Sequence, residues 1–146
     1  ISPLKDLKSS AGINVSLEKN ELYIGETLGK SIRIYELNND LSLGMIKDTI
    51  DLDGGADNID IDEKNKIWVA NHINSISLIK HFIDKEEYAP TQIQRISRED
   101  SQNKIETFFE NDGSLISAGS VGVYDKNSLF IGSITEKKIL KCALIF

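Results

Sequence analysis

The sequence is poor in the residues and segments that mark a membrane protein or a disulfide-stabilised one. Its 146 residues include one cysteine, two prolines and two histidines. The longest apolar stretch, residues 73–83, is interrupted by Asn74, Lys80 and His81, so it falls short of the roughly 18 residues that a membrane span needs. Because a single cysteine cannot form an internal disulfide, Cys142 is either a small buried apolar residue or pairs with a thiol outside this chain.

Clustered charge is missing as well. The formal net charge is -6 at pH 7, and the basic residues are interspersed with acidic ones. Without a basic stripe, the sequence disfavours nucleic acid as a partner. The sequence also lacks a Gly-x-Ser-x-Gly nucleophile elbow, an HExxH zinc motif and a glycine-rich phosphate loop. The common serine-hydrolase, zinc-protease and phosphate-loop chemistries are therefore not indicated.

What the sequence does contain is a repeated pattern of short segments in which apolar and polar residues alternate. Each copy reads as a strand, a polar turn, an aromatic-centred strand, a turn and a third strand. The copies occupy residues 12–35, 58–79 and 120–142, with third strands at 31–35, 75–79 and 138–142. The second strand of each copy ends in a small residue: Gly25, Ala70 and Gly132. Fourth strands are expected at 44–52 and 104–110, and weak helix signals are limited to 85–88 or 93–98.

Sheets of short strands repeated at this spacing are typical of β-propeller blades. The sequence therefore predicts an all-β fold, in which residues 1–146 form a single partial β-propeller domain of about three four-stranded blades, the last lacking its fourth strand. Since a ring closes with about four to eight blades, two arrangements stay open. One is the C-terminal half of a larger propeller whose missing N-terminal half supplies the last strand, and the other is a homodimer of three-bladed halves.

The ends of such a half ring have a predictable consequence. The start at Ile1 rather than Met agrees with a natural N-terminus upstream. A half ring exposes the sides of its central strands, which invites pairing with other chains. We therefore expect the isolated chain to be poorly soluble or to self-associate as a dimer.

The segment from Asp51 to Asn58 has the residue types of a calcium site. Calcium takes six to eight oxygen ligands, and Asp57 and Asn58 stand side by side at the start of an alternating strand. The glycine spacing is not that of an EF-hand, and Asp and Asn before a strand are also common turn formers. His72 follows the second strand of the same copy, as a loop residue or as part of a nearby site. His81 has no partner in the pattern.

Taken together, the motifs resemble those of the paraoxonase-type arylesterases and lactonases, which belong with the gluconolactonase-like, calcium-dependent six-bladed propellers. The resemblance runs in order over essentially the whole chain. The matching strings are AGINVS at 11–16 with the family's N-G-I-N-I-S, ADNIDID at 56–62 with V-D-N-I-S-V-D, IWVANH at 67–72 with L-W-V-G-C-H, NDGS at 111–114 with E-N-G-T, LFIG at 129–132 with L-L-I-G, and KCAL at 141–144 with Y-C-E-L.

The resemblance implies that this chain is the C-terminal portion of a calcium-dependent hydrolase of lactones or aryl esters. In the family, the Asp and Asn of the V-D-N motif ligate a catalytic calcium in the central tunnel, and the matching residues here are Asp57 and Asn58. The cation acts as a Lewis acid on the carbonyl of a small-molecule ester or lactone. The implied catalytic residues are Asp57, as base or nucleophile, and His72, which matches a histidine close to the family's site.

The chain departs from the family pattern at positions that bear on this site. The first Asn of the family's N-G-I-N motif is a further calcium ligand, and Ala11 stands there. A Glu and an Asn ligand and a pair of base histidines belong to the family's N-terminal half, so we expect the isolated chain to be inactive. Asn71 stands at the family's Cys before the site histidine. Cys142 matches a cysteine that bridges to the N-terminal region, which would imply an oxidising, extracytoplasmic compartment.

Two other functions stay open. Two side chains leave at least four calcium positions to other donors, so Ala11 agrees with a non-catalytic β-propeller binding module that has a degraded metal site. Strictosidine synthase-like propellers have the same general architecture with different chemistry, because a fold does not fix a function.

Overall fold

The computed structural model describes residues 4–99 and 102–144, which form three antiparallel β-sheets. The first sheet consists of β1 (Ser10–Ser16), β2 (Glu21–Glu26), β3 (Ser31–Leu37) and β4 (Leu43–Asp51). The second consists of β5 (Gly55–Ile61), β6 (Ile67–His72), β7 (Thr91–Glu99) and β8 (Gln102–Asn111), with the helix α1 (Ser75–Ile83) between β6 and β7. The third consists of β9 (Gly119–Asp125), β10 (Ser128–Ser133) and β11 (Leu140–Ala143).

This arrangement confirms the predicted all-β fold of partial propeller blades. Each sheet is a meander in which consecutive strands are neighbours, and the third sheet has three strands within the described ranges. The fourth strands expected at 44–52 and 104–110 correspond to β4 and β8. The first strands of the sheets lie side by side, because the Asn14 amide of β1 donates to the Ile59 carbonyl oxygen of β5 at 3.0 Å.

The strand expected at 75–79 is wrong, because this segment begins α1. The alternation of Ser and apolar residues there is compatible with a strand, but Asn74 caps the N-terminus of a helix. Its side-chain oxygen accepts a hydrogen bond from the Ser77 backbone N–H at 3.0 Å, which is a helix N-cap. No helix in the described ranges is long and apolar enough to cross a membrane.

The helix expected at 93–98 is also wrong, since these residues lie in β7, which is the true third strand of the second sheet. Residues 85–88 contain a turn and no helix. In β7 the residues are buried almost throughout, and strands covered on both faces lose the clean apolar–polar alternation that a sequence pattern relies on.

Two apolar clusters pack against opposite faces of the second sheet. Contacts with the first sheet involve Tyr23, Ile32, Ile34, Ile50, Leu52, Ala56, Ile59, Ile67, Val69 and Ile96. Contacts with the third sheet involve Trp68, Ala70, Ile93, Ile116, Leu129 and Ile131. The Trp68 ring is stacked on Tyr124 with centroids 5.0 Å apart and meets Phe108 edge to face. The second sheet is thereby fixed between its neighbours, as a blade is in a propeller.

A buried carboxylate also ties the first sheet to the second. The Glu21 side chain, 4% exposed, accepts hydrogen bonds from the Tyr23 hydroxyl at 2.6 Å and from Arg98 of β7 at 2.6 Å, and it pairs with Lys47 of β4 at 2.8 Å. Burial alone would raise the pKa of Glu21, but the hydrogen bonds from Lys47 and Tyr23 and the charge of Arg98 outweigh burial and lower that pKa. Burial and the Glu21 carboxylate together raise the pKa of Tyr23.

Candidate active site

The candidate site lies at a β-bulge in β5. Ala56 pairs with Asn71 and Ile59 pairs with Val69, so Asp57 and Asn58 together lie opposite a single residue of β6. A bulge adds one residue to one strand, bends it and re-aims the neighbouring side chains. Asp57 and Asn58 are therefore released from the strict alternation of the strand, which lets two adjacent polar side chains serve one site.

The first strands of the other two sheets carry a bulge at the same position of the repeat. In β1, Ala11 and Gly12 together lie opposite the single residue Gly25. In β9, Ser120 is the extra residue between Gly119 and Val121. The small residue noted in each second strand lies in the pairing partner of the bulge: Gly25, Ala70 and Gly132. A Cβ on Gly25 would crowd Asp57 and Ala56 of β5, and a Cβ on Gly132 would crowd Val121 of β9, which gives these two glycines a physical reason.

Asp57 and His72 are in direct contact. His72 ends β6, opposite Gly55 of β5, and its Nε2 lies 2.9 Å from Oδ2 of Asp57. The two side chains are 4% and 15% exposed. Because an ionised carboxylate only accepts hydrogen bonds, Nε2 carries the shared hydrogen. The buried Nδ1 of His72 has no hydrogen-bond partner among the described atoms, so a neutral His72 presents a free lone pair there.

The amide of Asn58 is oriented by the neighbouring blade. Its Nδ2 donates to the backbone carbonyl oxygen of Ser120 in β9 at 3.0 Å. Since the nitrogen is committed to that contact, the side-chain oxygen of Asn58 is the atom left to face a ligand. Asn58 is exposed in the described structure, so a ligand has access to it.

The backbone around Asp57 is held by the first sheet. A Cβ added to Gly12 of β1 would fall well inside contact distance of the Asp57 carbonyl oxygen, so the two strands approach as closely as glycine allows. The Thr27 hydroxyl donates to the Ala56 carbonyl oxygen at 2.8 Å. Together with the Asn14–Ile59 contact, these interactions fix the carbonyl groups on both sides of the bulge.

The sequence reasoning missed several of these supporting residues. Gly12 is part of the AGINVS motif, and a glycine within an alternating strand pattern is itself a signal of close backbone approach. The Ser120 carbonyl oxygen carries no sequence signal, because every residue has one. Ala11 lies in the bulge of β1 next to that of β5 and contributes only a methyl group.

The donor set at the bulge fits part of a calcium site. Asp57 keeps one carboxylate oxygen outside its contact with His72, and Asn58 keeps its amide oxygen, both of them the hard oxygen ligands that calcium prefers. Two ligands are fewer than the six to eight that calcium takes. The described part of the chain holds no group of three or more His, Cys, Asp or Glu side chains suited to a metal ion. The remaining ligands would have to come from other donors.

The profile of the arylesterase family matches residues 4–144. The chain belongs to the arylesterase family. Arylesterase-family proteins similar to it include serum paraoxonase/lactonase 3 of Oryctolagus cuniculus, which is 28% identical over 142 residues that cover 96% of this chain and 39% of that protein. Serum paraoxonase/arylesterase 1 of Homo sapiens is 28% identical over 130 residues, covering 88% of this chain and 36% of that protein.

A third relative has a similar identity to this chain and a similar coverage. Serum paraoxonase/arylesterase 2 of Gallus gallus is 29% identical over 136 residues, which cover 90% of this chain and 37% of that protein. The chain therefore spans less than two fifths of the length of these relatives. The family resemblance expected from the motifs is confirmed, and the site roles of Asp57, Asn58 and His72 stay predictions.

Proposed function

We propose that the polypeptide containing these blades is a calcium-dependent hydrolase of lactones or aryl esters, with Asp57 and Asn58 as metal ligands. The observation that supports the proposal is the bulge of β5, which places Asp57 and Asn58 together opposite one residue of β6. Membership in the arylesterase family supports an esterase-like or lactonase-like hydrolase.

The residues of this chain have separate roles in that proposal. Asp57 would bind calcium through one oxygen while His72 holds the other through Nε2. Asn58 would bind through its side-chain oxygen, in the orientation set by the Ser120 carbonyl group. Bound calcium would supply Lewis acidity to the ester or lactone carbonyl group. Asp57 is in addition the candidate base or nucleophile, and His72 is the candidate catalytic histidine beside it.

The proposal requires groups outside this chain. At least four further calcium positions need donors, and the third sheet has an unpaired edge at β11 in the described structure. We assign both to further blades of a six-bladed ring in the same polypeptide. The small-molecule ester or lactone would then bind at the central tunnel, where the first strands of the blades meet.

A second candidate function rests on Ala11. This residue occupies in β1 the place that Asp57 has in β5, yet it offers no oxygen to a metal. A propeller that has lost calcium would be a non-catalytic binding module. The two candidates differ in the calcium affinity of the bulge and in the effect of restoring an oxygen at Ala11.

The deciding experiment measures hydrolysis of phenyl acetate and of a δ-lactone by the full polypeptide, with calcium and with a chelator. We expect activity to need calcium and kcat/KM to fall about 100-fold in Asp57→Asn, because one site carboxylate is lost. Asp125→Asn, which changes an exposed acid at the end of β9, is the control and should keep full activity. Full activity in the presence of chelator would refute the proposal.

Substitutions at Ala11 separate the hydrolase from the binding module. Ala11→Asn adds an amide oxygen beside Asp57, and Ala11→Leu adds a side chain of similar size without one. If the site is a degraded metal site, calorimetry should show tighter calcium binding in Ala11→Asn and not in Ala11→Leu. Equal binding by both variants would argue against a degraded site.

A further inference from the structure

A second polar cluster lies at the same end of the sheets, around a histidine that the proposed function does not use. His81 of α1 is 3% exposed. Its Nε2 lies 2.6 Å from the Thr135 hydroxyl oxygen, in the segment after β10, and its Nδ1 lies 2.6 Å from the Glu87 carbonyl oxygen. Both ring nitrogens thus have a hydrogen-bond partner. The Thr135 hydroxyl can donate a hydrogen, whereas the Glu87 carbonyl oxygen cannot.

The Glu87 carbonyl group determines which nitrogen of His81 carries the hydrogen. A carbonyl oxygen only accepts, so Nδ1 must donate to it. The Ser117 hydroxyl oxygen lies 3.4 Å from the same Nδ1, and it accepts a hydrogen bond from the Ala89 backbone N–H at 2.7 Å. Both oxygens near Nδ1 therefore suit an N–H group there. In the neutral ring, Nε2 is then a lone pair directed at Thr135.

The Thr135 hydroxyl has a second neighbour, Ser133, which lies farther away and is already committed. The two hydroxyl oxygens are 3.5 Å apart. The Ser133 hydroxyl donates its hydrogen to the Ser117 carbonyl oxygen at 2.6 Å and accepts from the backbone N–H groups of Thr135 and Glu136 at 3.1 and 3.2 Å. With both lone pairs of Ser133 occupied, the Thr135 hydrogen is directed to His81.

This hydroxyl opens on a cavity. A space of about 320 Å³ is lined by His81 and Thr135 together with Lys85, Tyr88, Ser114 and Lys138. Thr135 is partly exposed, so a small molecule in this space can reach its oxygen. Lys138 is paired with the carboxylate of Glu136 at 2.7 Å. A hydroxyl, a base and a group that orients the base are the three parts of an activated nucleophile.

We propose that Thr135 is a nucleophilic hydroxyl with His81 as its general base, and that this pocket accepts acyl groups from small activated esters. The Thr135 oxygen bonds to the ester carbonyl carbon while its proton passes to Nε2 of His81. The bond from that carbon to the leaving oxygen then breaks, and the leaving group takes the proton from His81. The products are acyl-Thr135 and a free alcohol or phenol, with no metal involved.

The test is acetylation of the full polypeptide by 4-nitrophenyl acetate in the presence of a chelator, located by peptide mass spectrometry. We expect one acetyl group on Thr135, retained in Thr135→Ser and abolished in Thr135→Val, which keeps the shape and removes the hydroxyl. His81→Gln should slow labelling about 100-fold, as loss of a general base does. Thr49→Val removes an exposed threonine hydroxyl of β4, outside this pocket, and should label at the normal rate.

Each outcome bears on the proposal separately from the calcium site. Acetyl groups found only on Lys85 or Lys138, or labelling unchanged in Thr135→Val, would overturn it. If His81→Gln does not fold, the comparison of Thr135→Ser with Thr135→Val still decides, since both keep the buried histidine. Labelling with chelator present would persist even if the calcium-dependent hydrolysis proposed above proves wrong.

Discussion

The imidazole of His72 holds the carboxylate of Asp57, with Nε2 and Oδ2 2.9 Å apart across the first strand pair of the second sheet. Among the described residues, one oxygen of Asp57 and the buried Nδ1 of His72 have no hydrogen-bond partner. The contact therefore fixes the relative orientation of the two side chains. Each side chain keeps one polar atom that can bind a ligand. A side chain held this way loses little conformational freedom when it meets a ligand.

The contact predicts an effect of replacing His72 in the full polypeptide saturated with calcium. His72→Leu removes the donor to Asp57 and should lower kcat about 10- to 100-fold, as loss of a supporting hydrogen bond does at metal sites. His72→Gln keeps an N–H group on a side chain of similar length and should retain more activity. Steady-state kinetics on phenyl acetate measures both, and an unchanged kcat in His72→Leu would show that the contact has no role.

The close approach of β1 to β5 predicts that Gly12→Ala is destabilising. The new methyl group would collide with the Asp57 carbonyl oxygen, and overpacking of this kind costs about 1–3 kcal/mol in the free energy of unfolding. Gly44→Ala is the milder comparison, because the atoms nearest its methyl group would be side-chain atoms of the exposed Glu36 and not a backbone oxygen. Urea denaturation compares the two, and equal losses would contradict the role of Gly12.

The buried carboxylate of Glu21 predicts a pH dependence of stability. Its pKa in the folded protein is lowered, while an unfolded Glu titrates near 4.3. The stabilisation is therefore present in full above the unfolded pKa and is lost as the pH falls through the lower, folded pKa. Glu21→Gln should cost about 2 kcal/mol at neutral pH and should show a shallower loss of stability in acid.

Urea midpoints at pH 7 and in the acid range measure this effect. Glu63→Gln removes one exposed carboxylate in the turn before β6 and should match the parent protein at each pH. The interpretation would be wrong if Glu21→Gln and the parent protein lost stability equally on acidification, because the buried carboxylate would then carry none of the pH dependence.

The sequence predicted the blades well because their strands repeat, and it failed where a single residue overrode the pattern. Ser75 to Ile79 alternate like a strand, yet the side chain of Asn74 caps a helix there. Alternation is a pattern over several residues, so the sequence predicts it reliably. A helix cap depends on one side-chain hydrogen bond, which competes with other backbone conformations.

The candidate sites were only partly predictable for a different reason. Asp57 and Asn58 could be found because they are adjacent in the chain, and His72 because the motif order is specific. The bulge is a property of strand register, which is set by pairing with β6 and not by β5 alone. The contact between His81 in α1 and Thr135 after β10 joins residues 54 positions apart, and no local sequence pattern predicts such a contact.

The bulge shared by β1, β5 and β9 also bears on how this protein can evolve. The bulge that sets Asp57 and Asn58 opposite one residue in β5 has a counterpart in β1 and in β9, whatever side chains occupy it. The side chain at this point can differ while the bulge is kept, as Ala11 in β1 and Asp57 in β5 show. If Asp57 and Asn58 bind calcium as proposed, single substitutions at the bulge can change metal affinity while the fold is kept.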